Sequence, residues 1–347
     1  MKNNLYVDIH VLQNVPPSCV NRDDTGSPKT AKYGGVVRAR VSSQAWKHEM
    51  RKLFGEMLNK EEVGVRTKKV PQMITDTVKE LDQSIGDEKA GKLALGALEK
   101  AGIKIDKDGT SPVLMFFSAA QAKALARLAI EECKDKKEYK NALNASPSMD
   151  MALFGRMVAA DPSLNFDAAA QIAHAISTHA VHNEYDYFTA VDDLNQDEEA
   201  GAGHLGTVEF NSSTLYRYAT VNAAELQKNL GDQTADAVKC FAEAFIKAMP
   251  TGKQNTFANR TLPDFVYIAL RDDQPVNLAG AFEKPVSGTN GYMEESEGRF
   301  RKYAGEVYRK FACPPEKIWE FGEKDILQIL EELKIAVGEK LSESGGE

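Results

Sequence analysis

Two short runs that alternate apolar and polar side chains are followed by a long helical stretch, and that order limits the folds open to this chain. In LYVDIHVL, Leu5, Val7, Ile9 and Val11 share one face while Tyr6, Asp8 and His10 share the other, the period-two pattern of a half-buried strand. VVRARV repeats it, with Val37, Ala39 and Val41 opposite Arg38 and Arg40. From Asn59 to Ser146 the chain is rich in Lys, Glu and Ala with short Gly breaks, and QAKALARLAIEECKDKKEYK is its clearest amphipathic segment. A helical block of this size set among strands predicts an α+β fold with an inserted helical subdomain. A doubly wound sheet would need strands and helices in regular alternation.

Beyond the block, FDAAAQIAHAISTHAV predicts a helix of small residues. EYDYFTAVDDL and GTVEFNSSTLYRYATV, aromatic and β-branched, predict a long hairpin joined by the acidic NQDEEAGAGH. AAELQKNL and TADAVKCFAEAFIKAM read as helices, DFVYIALR as a strand, and FRKYAGEVYRKFA and KDILQILEELKIAVGEKL as a final helical pair before a disordered tail. No internal repeat is visible. The longest apolar run, PVLMFFSAA, is far short of the ~20 residues that cross a bilayer, and Asp8 and His10 interrupt the apolar N-terminal stretch where a signal peptide would need continuity. The four cysteines, Cys19, Cys133, Cys240 and Cys313, are scattered without a CxxC pair, which fits reduced thiols in a cytoplasmic protein better than a zinc cluster.

Charge is unevenly distributed. The chain carries a formal −8, yet Lys29–Lys52 holds seven basic residues and one acid, leaving −14 for the remainder. Ser42 or Ser43 is placed to cap a helix running from Gln44 to about Leu58. On that helix Gln44, Lys47, His48 and Arg51 fall within about 60° of one another, away from Trp46, Met50, Leu53, Phe54 and Met57. One face is core and the other a row of donors, beginning where the open N–H groups of a helix N-terminus also favour an anion. Arg38 and Arg40 approach from the preceding strand, and Asn21 and Arg22 sit in a loop able to reach the same place. The arrangement predicts a cradle for a phosphate backbone; the bland alternative is a solvated basic face. His174, His179 and His182 are not spaced as metal ligands on the predicted helix, since 174 and 179 fall on different faces, and they read as structural histidines.

The blocks IHVLQNVPPSCVNRDD, YGGVVRARVSSQAWKHEMR, GRM, IAHAISTHAV, DYFTAVDDL, HLGTVEF, STLYRYATVN and AGAFEKPV, in this order, resemble the signature of the CasC family, the backbone subunit of the type I-E CRISPR surveillance complex Cascade, within the RAMP superfamily. The resemblance implies an RRM-like (ferredoxin-like) palm from residues 1–58, 147–183 and 218–340. It also implies helical fingers at 59–146, a thumb hairpin at 184–217 and a disordered tail at 341–347. It implies a scaffold without cofactor or resident metal, copies of which line up along one guide RNA as a helical filament, kink it at intervals and present it to target DNA. The large subunit, the small subunit, the subunit that binds the guide 5′ handle and the guide-processing endonuclease would be its neighbours.

Carried over residue by residue, RNA contacts fall on Asn21, Arg22, Ser42, Ser43, Gln44, Lys47 and Arg51. The wedge beside the kinked nucleotide falls on Met157, and the thumb contacts on Phe188 and Thr189. Lys134, Lys136, Lys137 and Lys140 are candidates for target DNA. Two departures stand out: Val36 and Val37 follow the double glycine where some relatives are basic, and His48 replaces a basic residue common among relatives. Backbone subunits of other CRISPR types cut bound RNA with a loop acid, so a metal-dependent ribonuclease using Asp23 and Asp24 is the rival reading. A single-copy RNA chaperone is a third.

Overall fold

The alternating runs do form strands, and they lie side by side. The computed structural model describes residues 4–158, 162–189, 205–322 and 324–344. In chain order these build β1 (Tyr6–Ser18), β2 (Thr30–Tyr33), β3 (Val36–Val41) and α1 (Ser43–Met57). Then come β4 (Val65–Thr67), α2 (Val70–Leu81), α3 (Asp87–Lys100), β5 (Met115–Phe117), α4 (Ala119–Ile130), α5 (Lys136–Asn144) and α6 (Met149–Phe154). Four strands follow, β6 (Ala170–Ile172), β7 (Ala175–Ser177), β8 (Glu184–Thr189) and β9 (Leu205–Asn222). The chain ends with α7 (Ala223–Leu230), α8 (Thr234–Lys247), α9 (Gln254–Phe257), β10 (Phe265–Arg271), α10 (Met293–Lys310), β11 (Lys317–Glu320) and α11 (Ile326–Ser344).

The fold is α+β, with a mostly antiparallel sheet ordered β11-β10-β1-β9-β7-β3-β2, to which β6 and β8 add through β9. β1 and β10 run antiparallel from Tyr6↔Arg271 to Leu12↔Phe265, so chain segments more than 250 residues apart are neighbours in the sheet. Two compact units emerge. One holds residues 1–50, 172–220 and 241–336; the other holds 51–171, 221–240 and 337–347. The first is organised on a core that includes Leu12, Tyr216, Phe265, Phe282 and Phe300. The second has its own core, in which Ile74, Val78, Leu98, Leu125 and Leu143 of its helices meet Phe117 of β5. The middle of PVLMFFSAA is interior: its MFF pairs as a buried strand with β4, while Val113 and Leu114 before it are exposed.

Three expectations need correcting. FDAAAQIAHAISTHAV forms β6 and β7, not a helix. Alanine favours helix intrinsically, but Ala175 and Ser177 lie fully buried on a strand paired with β3 on one side and β9 on the other, and ladder pairing overrides propensity. The helical-face argument for His174 and His179 lapses with it. Second, the tail expected from residue 341 is helical through Ser344, and only the last three residues lie outside the described range. Third, β3 does not alternate as predicted: Val37 is 48% exposed while Arg38 is fully buried.

Candidate nucleic-acid interface

The first loop, the end of β3 and the start of α1 meet at one corner of the first unit. The loop is shaped by its own polar side chains. Asp23 Oδ1 accepts from Thr25 N (3.0 Å), Thr25 Oγ1 (2.7 Å) and Ser27 N (3.0 Å), and these bonds hold its carboxyl below the usual aspartate range. Lys29 N closes the loop on Asn21 O at 2.8 Å. The Asn21 side chain then ties it to the helix, its Oδ1 accepting from Ser42 N at 2.9 Å. Arg22, beside it, is exposed and forms no ion pair among the described residues. The loop borders a polar pocket of about 510 Å³ reaching Gly252.

Ser42 caps α1, with its Oγ 3.3 Å from Ala45 N, and is itself buried. Ser43 and Lys47 are half-buried, whereas Gln44 and His48 are exposed, His48 Nε2 lying 3.7 Å from a Glu49 carboxylate. The opposite face of the helix enters the core as the periodicity predicts for Trp46, Met50 and Phe54; Leu53 is half-buried and Met57 is 37% exposed. Beneath Trp46 lies Arg217, a residue that sequence reasoning missed. It is fully buried, stacks 3.9 Å from the indole centroid and donates to Gln13 Oε1 and Phe245 O. Burial pulls its pKa down to about 9. Its strand STLYRYATV carried the signal: a lone Arg in an otherwise apolar and aromatic run has to find partners inside.

Arg40 is held between Thr30 of β2 and His174 just before β7. It is half-buried, with Nε 3.2 Å from Thr30 O and Nη1 3.1 Å from His174 Nδ1, which accepts because the guanidinium can only donate. His174 therefore sits neutral beside it, its pKa depressed by burial and then by Arg40 and Lys29.

Two arginines leave the predicted row. Arg38 turns inward, where its guanidinium donates to Tyr33 O (3.1 Å), Ser177 O (3.0 Å), Phe282 O (2.8 Å) and Glu283 O (3.2 Å). It is a strut between β3, β7 and the 279–283 turn, with no face left for RNA. The adjoining turn is equally tight: Gly34 has φ +60°, and a Cβ there would lie 1.6 Å from Glu283 O. Arg51 lies past the unit division and serves the helical unit. Its Nε meets Asp150 Oδ2 at 3.0 Å, its Nη2 donates to Gly64 O at 3.1 Å, and it stacks 4.6 Å from the Phe116 centroid. Asp150 is fully buried and also accepts from Gly64 N and Ser148 Oγ, so Arg51 is its counter-charge, not an open donor.

Met157 is 86% exposed, and the residues around it explain why. Gly155 takes φ +77° with Phe166 O where a Cβ would stand, and Arg156 pairs with Phe166 through both backbone bonds. The buried Arg156 side chain donates to Leu164 O and Leu143 O, and Met157 is left pointing outward. Phe188 is 45% exposed on β8 and lies against Gly206, and Thr189 beside it is exposed; the connecting NQDEEAGAGH falls outside the described residues. Lys134, Lys136, Lys137 and Lys140 are all exposed at and before α5.

The three histidines do not converge on a ligand. His179 Nε2 accepts from Thr214 N, its Nδ1 faces Ala180 O and its ring stacks 3.6 Å from Tyr292, while His182 is exposed. Among the described residues no three His, Cys, Asp or Glu side chains gather as metal ligands do, and no helix is long and apolar enough to cross a membrane.

No curated protein matches the chain. Solved structures do. It superposes on a chain described as "CRISPR RNA-guided surveillance complex, pre-nicking" with TM-score 0.80 and 32% identity, over 96% of this chain and 100% of the other. It also matches a chain of a "CRISPR RNA-guided surveillance complex" with TM-score 0.61 and 30% identity, over 96% and 98%. The family model described as "CT1975-like protein" spans residues 7–344, and with nearly the whole chain inside that match the protein belongs to the CT1975-like family of CRISPR-associated proteins.

Proposed function

We propose that this chain is an RNA-binding backbone subunit of a Cascade-type surveillance complex, copies of which line up along the guide RNA and present it to target DNA. The observation that carries the reading is the corner just described. A loop held by Asn21, a helix start capped by Ser42, and the cations Arg22, Lys29, Arg40 and Lys47 are gathered there, with the loop acids Asp23 and Asp24 beside Arg22. That inventory grips a sugar-phosphate backbone and leaves sequence to base pairing. The sheet unit acts as the RRM-like palm, the helical unit as fingers, and β8–β9 as the thumb. Met157 and Phe188 are the apolar wedges beside a displaced nucleotide, and the lysines of α5 face target DNA. Asp23 already serves its own loop turn through three hydrogen bonds, which favours a scaffold over the ribonuclease reading.

Binding of single-stranded RNA at stepped salt tests the assignment. Log affinity should fall with log salt by roughly 0.7 per phosphate neutralised, and Arg40→Ala with Lys47→Ala should flatten the slope by about 1.4. Longer RNAs should take up more copies. Salt-independent binding, or one copy per RNA at every length, refutes the backbone role.

A further inference from the structure

Four arginines are buried among the described residues, and three have plain structural partners. Arg271 meets Asp273, Arg38 takes four carbonyls, and Arg156 donates to the carbonyls of Leu143 and Leu164. Arg217 differs. Its hydrogen bonds go to neutral groups, its Nε–H has no partner among the described residues, and neither has the indole N–H of Trp46 stacked on it. A buried donor left unsatisfied costs ~1–3 kcal/mol, and apolar residues of similar volume often serve a core as well as buried charge does. Stability alone is a poor account of this side chain.

Its contacts supply a better one. Trp46 lies in the first turn of α1, just past the Ser42 cap. Gln13 Oε1 accepts from Arg217 Nη1 at 2.6 Å, and Gln13 Nε2 donates to Thr261 O at 2.9 Å and to Thr261 Oγ1 at 3.1 Å. Phe245 O accepts from Nη2, and the Phe245 ring centroid lies 4.7 Å from the guanidinium. Phe245 and Thr261 bracket the segment 246–260. Within that segment Gly252 lines the polar pocket of the first loop and sits so close to Val20 O that a Cβ has no room. The loop on the pocket's remaining sides is tied to α1 through Asn21 and Ser42. One guanidinium therefore holds the head of α1 and, directly or through Gln13, both ends of the segment that completes the pocket.

We propose that Arg217 is a positioning residue for RNA binding: it fixes the head of α1 and the Gly252 segment at the spacing a phosphate backbone needs, without touching RNA itself. The proposal rests on the single-stranded RNA reading above. At 1% exposure the guanidinium is out of a ligand's reach, so any effect on binding passes through the elements it holds. A planar fork can lie flat on an indole while reaching two acceptors at fixed angles, which the single ammonium of a lysine cannot do.

Single-stranded RNA would be titrated at stepped salt into the full-length wild type, Arg217→Met, Arg217→Lys and Gln13→Leu, with urea midpoints measured alongside. The folded Arg217→Met protein should bind about tenfold more weakly, the loss of one charge-assisted contact. Its salt slope should fall by about 0.7, one phosphate fewer, although residue 217 meets no solvent. Arg217→Lys keeps the charge without the fork and should bind as weakly. Gln13→Leu cuts only the tie to Thr261 and should fall between wild type and Arg217→Met. Lower urea midpoints with wild-type affinity and slope would leave Arg217 a strut and overturn the proposal. Full recovery of binding in Arg217→Lys would overturn it too, since charge alone would then suffice. If Arg217→Met does not fold, Gln13→Leu decides: wild-type binding there refutes the positioning role, and weaker binding with a flatter slope upholds it. A wild type that binds no RNA overturns the RNA reading and the positioning role together.

Discussion

Replacing Arg38 with methionine separates a strut from a ligand within a stretch where both were expected. The substitution keeps the apolar stem and removes a guanidinium that donates to four backbone carbonyls at 2.8–3.2 Å. Each such charged bond contributes ~1.5–3 kcal/mol net, and the four are not additive because they share one buried charge. Burial opposes them: desolvation pulls the Arg38 pKa below the usual guanidinium range. Methionine removes the charge and leaves neutral carbonyls without a donor, at ~1–3 kcal/mol for each buried group left unsatisfied. The desolvation of the guanidinium partly offsets this, so a loss of ~3–5 kcal/mol is expected. For a sheet unit of this size it lowers Tm by roughly 10–15 °C. Both tryptophans, Trp46 and Trp319, are buried in this unit, so urea unfolding followed by their fluorescence reads it directly. Under native conditions the folded fraction should bind RNA with an unchanged salt slope. A stability loss below about 1 kcal/mol together with a lost RNA contact would refute the strut.

The neighbouring turn offers a paired comparison. Gly34→Ala drives a Cβ into the Glu283 carbonyl and should cost at least ~3 kcal/mol, whereas Gly35→Ala, at φ +80° with open space around it, should cost only the ~1–2 kcal/mol of a left-handed residue. Equal losses in thermal melts would show that the turn adjusts. The core also holds an opposed acid-base pair. Desolvation raises the Asp8 pKa to about 6 and lowers that of His10 to about 3. The Asp8 penalty is present above pH 6 and fades as pH falls towards its unfolded value. The stability that follows from keeping His10 neutral is full above pH 6.5 and is lost as pH falls towards 3. Between pH 7 and 5 the histidine loses about 2 kcal/mol and the aspartate recovers about 1.4, so the wild type should change by less than ~1. Asp8→Asn removes the recovery, and its urea midpoint should drop over the same interval by the equivalent of about 2 kcal/mol; a wild-type-like pH response would show that Asp8 does not titrate there.

The features legible in the sequence were those with a strong period. Trp46, Met50 and Phe54 announce the buried face of α1, and the alternation in LYVDIHVL and the aromatic runs of β8 and β9 announce their strands. What period could not supply was context. Ala175 and Ser177 read as helix formers, because nothing local says that β3 and β9 will pair with this segment from both sides. Arg38 read as outward because alternation shows which residues share a face but not which face is wet, and here the Arg38 side is covered while Val37 opposite is exposed. Arg51 sat correctly on its stripe. Its destination was set by Asp150, which lies 99 residues away and is invisible to helical spacing.

These displacements sharpen the electrostatics of the corner. A formal +6 over Lys29–Lys52 overstates what a polyanion meets, because Arg38 is spent on carbonyls and Arg51 on a buried carboxylate. Yet a positive field persists, and the molecule contains its own gauge of it. The His174 pKa is lowered first by burial and then by Arg40 and Lys29, with no carboxylate acting to raise it. Its neutral ring accepts from Arg40 and so relieves that guanidinium without cancelling its charge. Elsewhere in the chain a structural arginine either meets an acid, as Arg51 meets Asp150 and Arg271 meets Asp273, or is fully buried and saturated by carbonyls, as Arg38 is. Burial does most to keep His174 neutral, and the two cations add to it. Arg40, whose side-chain partners are both uncharged, keeps a repulsion that costs folding free energy unless an anion arrives from outside. That cost, and not the count of lysines and arginines, is the strongest electrostatic argument for a phosphate backbone at the head of α1.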